Sequence, residues 1–248
     1  ENVLVTKSLT FRGANAGISA GVDAGGRGPE SIVKTFRTGV AGSVVDAYGT
    51  TPHDVTIDGF QIDPQGDAAL EGATLQVGLV HLLGGTGAGT SVVNNIVSGA
   101  AVFQPTCTSF GCTAPNQMAP MGISVGSGAV NIADNRVQNF RYGARVSQQV
   151  GRAALLATID DNVVTGVSVQ GISVGGATGV QQPGATVTDN QVDAVGRASD
   201  PVGIVVSNSA NVVTGNTVTD MARGASVILC KKWDTRNNTF DDNTFVSA

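Results

Sequence analysis

A six-residue phrase of the form apolar, x, Asp/Gly, Asn, x, apolar recurs five times in the back half of the chain. The copies are Ile132-Ala-Asp-Asn135-Arg-Val137, Ile159-Asp-Asp-Asn162-Val-Val164, Val187-Thr-Asp-Asn190-Gln-Val192, Val213-Thr-Gly-Asn216-Thr-Val218 and Phe240-Asp-Asp-Asn243-Thr-Phe245. Successive Asn residues are separated by 27, 28, 26 and 27 positions. A period of that length marks a stack of one repeated supersecondary unit. Two earlier segments fit more loosely, Val93-Asn-Asn95-Ile-Val97 and Val55-Thr-Ile-Asp-Gly59-Phe-Gln-Ile62, the second with Gly59 in the Asn slot.

A second phrase interleaves with the first: Gly78-Leu-Val, Gly122-Ile-Ser-Val125, Gly143-Ala-Arg-Val146, Gly171-Ile-Ser-Val174, Gly203-Ile-Val-Val206 and Gly224-Ala-Ser-Val227. It follows the Asn by 8 or 9 residues in three coils, by 13 after Asn190 and by 27 after Asn95. Residues 104–120 therefore read as a loop inserted at a fixed point of the repeat. Each unit holds about three short alternating apolar runs and has no room for a helix of about 10–12 residues. Composition agrees: 34 Gly, only 13% charged residues, three Glu and four Lys leave little to clothe the outside of helices. The predicted fold is all-β, a single parallel β-solenoid of about seven coils over 1–248, with residues 1–50 forming less regular first coils.

Within the phrase, Asn tolerates the left-handed backbone region and so is expected to make the bend between strands. Its amide is expected to bond the equivalent Asn one coil away, forming a ladder of Asn95, Asn135, Asn162, Asn190, Asn216 and Asn243. The last phrase stops in mid-coil without a recognisable cap, so a further domain or self-association is expected at that end.

These phrases, together with the opening Asn2-Val-Leu-Val-Thr-Lys-Ser-Leu-Thr-Phe-Arg-Gly13 and Val55-Thr-Ile-Asp-Gly-Phe60, resemble right-handed parallel β-helix proteins of the pectate-lyase-like superfamily, of the bacterial secreted and surface type. The resemblance covers essentially the whole chain. It implies a right-handed coil and a secreted or cell-surface location. It does not select an activity, since the fold hosts lyases, hydrolases, epimerases and adhesins alike.

Acid–base chemistry on uronic-acid polymers needs a base near the sugar carbon and a cation or Arg to neutralise the carboxylate. Asp58 and Asp63 with Arg12 or Arg37 are the nearest set, but no family phrase surrounds them. Asp160-Asp161 and Asp241-Asp242 supply the acidic doublet of polygalacturonases without its companion phrases. Thr51-Pro-His-Asp54 resembles the Asp-Pro-His-Asp phrase of alginate C5-epimerases, which implies His53 as base and Tyr48 as acid, with Asp54 and Asp58 beside them. The same residues also read as a turn launching the strand that starts at Val55. His81 alternates with apolar neighbours and reads as structural, and no serine–histidine–acid motif is visible.

Cys107 and Cys112 read either as a disulfide pinning the inserted loop or as two free thiols, and Cys230 as a buried thiol. The Asp preceding each ladder Asn, Asp134, Asp161 and Asp189, would stack at about 4.8 Å. That row is either a weak calcium site or a solvated acidic ridge; no other cofactor is expected. Trp233, in a mixed basic and aromatic segment, and Arg141-Tyr142 are the glycan-contact candidates. A pI near 4.8 with scattered basic residues argues against nucleic acid, and no apolar run reaches the ~18–20 residues of a membrane span. The expected function is a non-catalytic, extracellular or cell-surface scaffold, structural or adhesive, with a polysaccharide or cell-surface partner. The alternative is a lyase or C5-epimerase acting on acidic polysaccharides.

Overall fold

The computed structural model describes residues 3–34, 45–48, 54–63, 78–83, 89–99, 121–126, 130–147, 157–175, 184–194, 201–207, 210–227 and 238–246. Every regular element among them is a strand, and the strands form three parallel sheets of eight. Sheet A contains Val3–Val5, Val45–Tyr48, Gly78–Leu83, Met121–Val125, Tyr142–Ser147, Gln170–Gly175, Val202–Val206 and Arg223–Val227. Sheet B runs from Leu9–Arg12 to Thr239–Asp241, and sheet C from Ser31–Lys34 to Thr244–Val246. The chain visits A, B and C in turn, so the described strands make eight triplets where about seven coils were expected. The additional one is the first, which carries no Asn phrase. Stacked at the strand spacing, eight layers span about 34 Å. Among the described residues no helix is long and apolar enough to cross a membrane.

Alternation turns one side of each strand inward, and the inward residues stack in rows of nearly constant type. Val92, Ile132, Ile159, Val187 and Val213 line sheet B, and Val97, Val137, Val164, Val192 and Val218 line sheet C, all buried. Similar branched side chains at each level let every coil pack on the next at close to crystal density. In the last strands Phe240 and Phe245 take the same positions in register with Val213 and Val218; with no described coil beyond them, Phe245 is 48% exposed.

The asparagine ladder is present. The Nδ2 groups of Asn95, Asn135, Asn162, Asn190 and Asn216 donate to the Oδ1 of the next Asn at 2.9–3.1 Å. Each of these Oδ1 atoms also accepts the backbone N–H of the preceding ladder Asn. The left-handed bend, however, belongs to the residue before the Asn: Asn94, Asp134, Asp161, Asp189, Gly215 and Asp242 have φ of 59°, 57°, 50°, 53°, 69° and 50°. One residue turns the corner and the next points its amide inside. Gly59, with φ 79°, fills the turning slot and not the Asn slot. Phe60 follows it, and its N–H donates to Asn95 Oδ1, which closes the ladder at that end.

The glycines of the second phrase serve close approach. A Cβ on Gly122, Gly143, Gly171 or Gly203 would collide with the inward Val137, Val164, Val192 or Val218 of sheet C and crowd the carbonyl of the next glycine in the row.

The excursion between Leu9–Arg12 and Ser31–Lys34 was not legible in the sequence. It runs along the B–C corner as a strap that binds the carbonyls of the turning residues in four coils. Asn15 N–H donates to Gly59 O, Ala20 N–H to Asp134 O and Val22 N–H to Asp161 O, while Arg27 Nη1 donates to Asn94 O at 3.0 Å. A residue in the left-handed region turns its carbonyl out of the coil-to-coil ladder, so these oxygens need another donor. Gly21 lies so close to Asp161 O that no Cβ would fit. An Arg27–Glu30 ion pair at 2.9 Å holds the return of the strap and keeps the Glu30 carboxyl below its ordinary range.

Candidate functional site

The epimerase-like set is divided between two sheets. Tyr48 ends a sheet A strand in register with Leu83, whereas Asp58 ends a sheet B strand. Asp58 Oδ1 accepts Asn94 Nδ2 at 2.7 Å and Gly17 N–H at 3.0 Å, so it anchors the strap. Asp54 is exposed and its Oδ1 accepts Gly89 N–H at 2.9 Å. His53, Trp233, Cys107, Cys112 and Cys230 lie outside the described residues.

The acidic row follows the B–C corner, where its members act first as turning residues. The Asp161 carboxyl is pushed above the ordinary Asp range by burial, then by Asp160, Asp134, Asp189 and Asp23 of the strap. Gly215 relieves the row, because a Cβ there would overlap Asp189 Oδ1. Among the described residues no group of three His, Cys, Asp or Glu side chains is placed to hold a metal ion.

A raised folded-state pKa means that Asp161 favours folding below the unfolded value and loses that contribution as pH rises through the folded one. Asp161→Asn, which keeps a residue type tolerant of the left-handed region, as Asn94 shows two coils earlier, is therefore expected to raise Tm at pH 7. The gain should be on the order of 1–2 °C for a partly exposed group. It should vanish below the ordinary Asp value of about 3.9. Thermal melts of both proteins at pH 3 and pH 7 check this.

The opposite side of the coil carries a different set. On sheet A, Val80 and Leu82, Ile123 and Val125, Ile172 and Val174, and Ile204 and Val206 are buried in the core, as is Val146. The residue between each pair, and Arg145 before Val146, therefore faces outward. Backbone register stacks these residues as His81, Ser124, Arg145, Ser173 and Val205, with Asp46 paired to His81 on the preceding strand. His81 and Ser124 are only 7% and 5% exposed. Towards the strand starts a second row reads Met121, Tyr142, Gln170, Val202 and Arg223.

Arg141, one residue before this row, lies with Cζ 6.0 Å from the Tyr142 ring centroid. Its Nε is buried without a hydrogen-bond partner. The pair expected from the sequence to contact glycan thus lies at the start of the strand that carries Arg145. Acids are concentrated on one side: Asp58, Asp134, Asp160, Asp161, Asp189, Asp193 and Asp241 belong to sheets B and C and their corner, where Arg12, Lys34 and Arg136 also lie, while the described sheet A strands carry Arg145, Arg223 and one acid, Asp46.

Parallel three-sheet coils with an inward Asn ladder define a β-helix protein. The family model for the right-handed β-helix region matches residues 121–248, and the chain belongs to that family. Neither the curated proteins nor the solved structures compared with the chain returned a match.

Proposed function

We propose that this chain is an extracellular or cell-surface β-helix scaffold that binds acidic polysaccharide across the outer face of sheet A. The observation that supports this is the excess of acids along the B–C corner: an anionic polymer is repelled there and is better received on the side holding Arg141, Arg145 and Arg223. Tyr142 offers a ring on which a sugar can stack, with Arg141 beside it. The buried Arg141 Nε lacks an acceptor, and a ligand carboxylate would supply one through a charge-assisted bond. Eight stacked strands give the extended, rigid surface that a polymer contacts over several residues.

Binding to immobilised pectate, alginate and hyaluronan at low and high salt tests this reading. The unaltered protein is expected to bind at least one of them and to weaken as salt rises. Arg141→Ala combined with Arg145→Ala should weaken that binding about tenfold or more. Unchanged binding by the double variant, or no binding by the parent, overturns the reading. Absorbance of unsaturated sugar products in the same incubations tests the lyase alternative.

A further inference from the structure

We infer that copies of this chain join head to tail, the last coil of one copy pairing with the first coil of the next so that the parallel sheets run on through the junction. The inference concerns the two ends of the stack and is independent of the ligand reading above.

Both ends present strand edges. Among the described residues Val3–Val5, Leu9–Arg12 and Ser31–Lys34 pair on one side only, and so do Arg223–Val227, Thr239–Asp241 and Thr244–Val246. A row of unpaired backbone groups is a template for a strand of another chain. Apolar surface gathers at the same places: of the six large apolar side chains exposed among the described residues, Leu9, Ile32, Phe240, Phe245 and Val246 belong to these end strands. The strap leaves Leu9 and Arg12 exposed, because from Gly13 it turns down the side of the coils to the carbonyls of Gly59, Asn94, Asp134 and Asp161.

Register identifies the occupant. Followed strand by strand along sheet B, Phe11 and Phe240 are the two ends of one inward row, and Arg12 and Asp241 are the two ends of the outward row beside it. Along sheet C, Val33 and Phe245 end the inward row in the same way. One further step of the same stack, about 4.8 Å, therefore sets Phe240 of one copy on Phe11 of the next, Phe245 on Val33, and Asp241 beside Arg12. Phe rings at that separation lie within the range of offset stacking.

The charges match as well. In sheets B and C the first strands carry Arg12 and Lys34 and no acid, while the last carry Asp241 and no base, with Asp242 at the turn that follows. Two last coils brought together would oppose acid to acid, so the fitting partner of a last coil is a first coil. Such a contact joins two different surfaces, and each copy keeps one of each. The assembly therefore does not close on a pair and grows with concentration.

Sedimentation velocity of the full chain from ~10 μM to ~0.5 mM tests this, a range that registers weak self-association. Species larger than a dimer are expected at the upper end. Arg12→Asp alone and Asp241→Arg alone, each with a melting curve like the parent's, should lower the association constant at least about tenfold, because each sets like charges at the junction. An equimolar mixture of the two variants should associate again, since every junction between them pairs opposite charges. A second measurement does not depend on charge: Arg12→Cys combined with Asp241→Cys should form a disulfide between positions 12 and 241 under mild oxidation, read by peptide mass spectrometry. In-register neighbours lie within disulfide reach, whereas within one chain the two positions stand about 34 Å apart, so that link joins two copies. A parent that stays monomeric throughout, or one that stops at a dimer, overturns the inference. So does a mixture that fails to associate, or Asp241→Cys linking to itself in place of position 12.

Discussion

Replacing Asn162 with Ala is expected to remove about 4–6 kcal/mol of stability, a large share of what a chain of this kind has in total. Asn162 is fully buried. Its Nδ2 donates to Ile132 O, Asp160 O and Asn190 Oδ1 at 2.9, 2.8 and 2.9 Å. Its Oδ1 accepts the backbone N–H and the Nδ2 of Asn135, both at 3.0 Å. Truncation leaves polar groups of three coils without partners in an interior otherwise filled by Val and Ile. Each such group costs about 1–3 kcal/mol, and bonds in a chain reinforce one another. Asn243→Ala is the internal comparison: it sits in the last described coil, half-buried, and should cost about 1 kcal/mol. Urea unfolding followed by circular dichroism measures both. A loss below about 1.5 kcal/mol for Asn162→Ala would mean that water enters and satisfies the gap.

Gly171→Ala should destabilise by about 2–4 kcal/mol although it adds a single methyl. The new Cβ would overlap Val192 Cγ1 and come within 2.7 Å of Gly203 O. Val192 is β-branched and buried, with few rotamers to retreat into, and the Gly203 oxygen belongs to the backbone of the next coil. Gly175→Ala on the same strand meets only Ser207 Oγ, at 2.8 Å, which can rotate away; it should cost under about 1 kcal/mol. Combining Gly171→Ala with Val192→Ala should recover part of the loss, since the two sites share one clash. Denaturation midpoints of the three variants decide whether the glycine row acts through close packing. Equal effects of Gly171→Ala and Gly175→Ala would assign the cost to backbone entropy.

The ladder and the inward rows were legible because each is a local pattern repeated at a near-constant period. Asn135, Asn162, Asn190, Asn216 and Asn243 can be aligned by counting. The same counting misassigned the bend to the Asn, because two adjacent polar residues share the corner and either tolerates the left-handed region. Their division of labour follows from which one is given a buried neighbour to bond. A second, shorter ladder, Asn211 to Asn238 at 2.7 Å, escaped notice because it contains too few copies to form a period. The Asn15–Arg27 strap escaped for another reason: its partners Gly59, Asn94, Asp134 and Asp161 are distant in sequence and are joined through backbone carbonyls, which leave no trace in residue type.

By itself, then, the sequence determined the class of fold, the direction in which Val and Ile point, and the identity of the ladder, since all three follow from alternation and period. Only the tertiary structure decided which residues share the outer face of sheet A. His81, Ser124 and Arg145 are separated by 43 and 21 positions, intervals unrelated to the 27-residue period. Their alignment is imposed by hydrogen bonding between neighbouring strands, which sets register whatever the length of chain that runs between them.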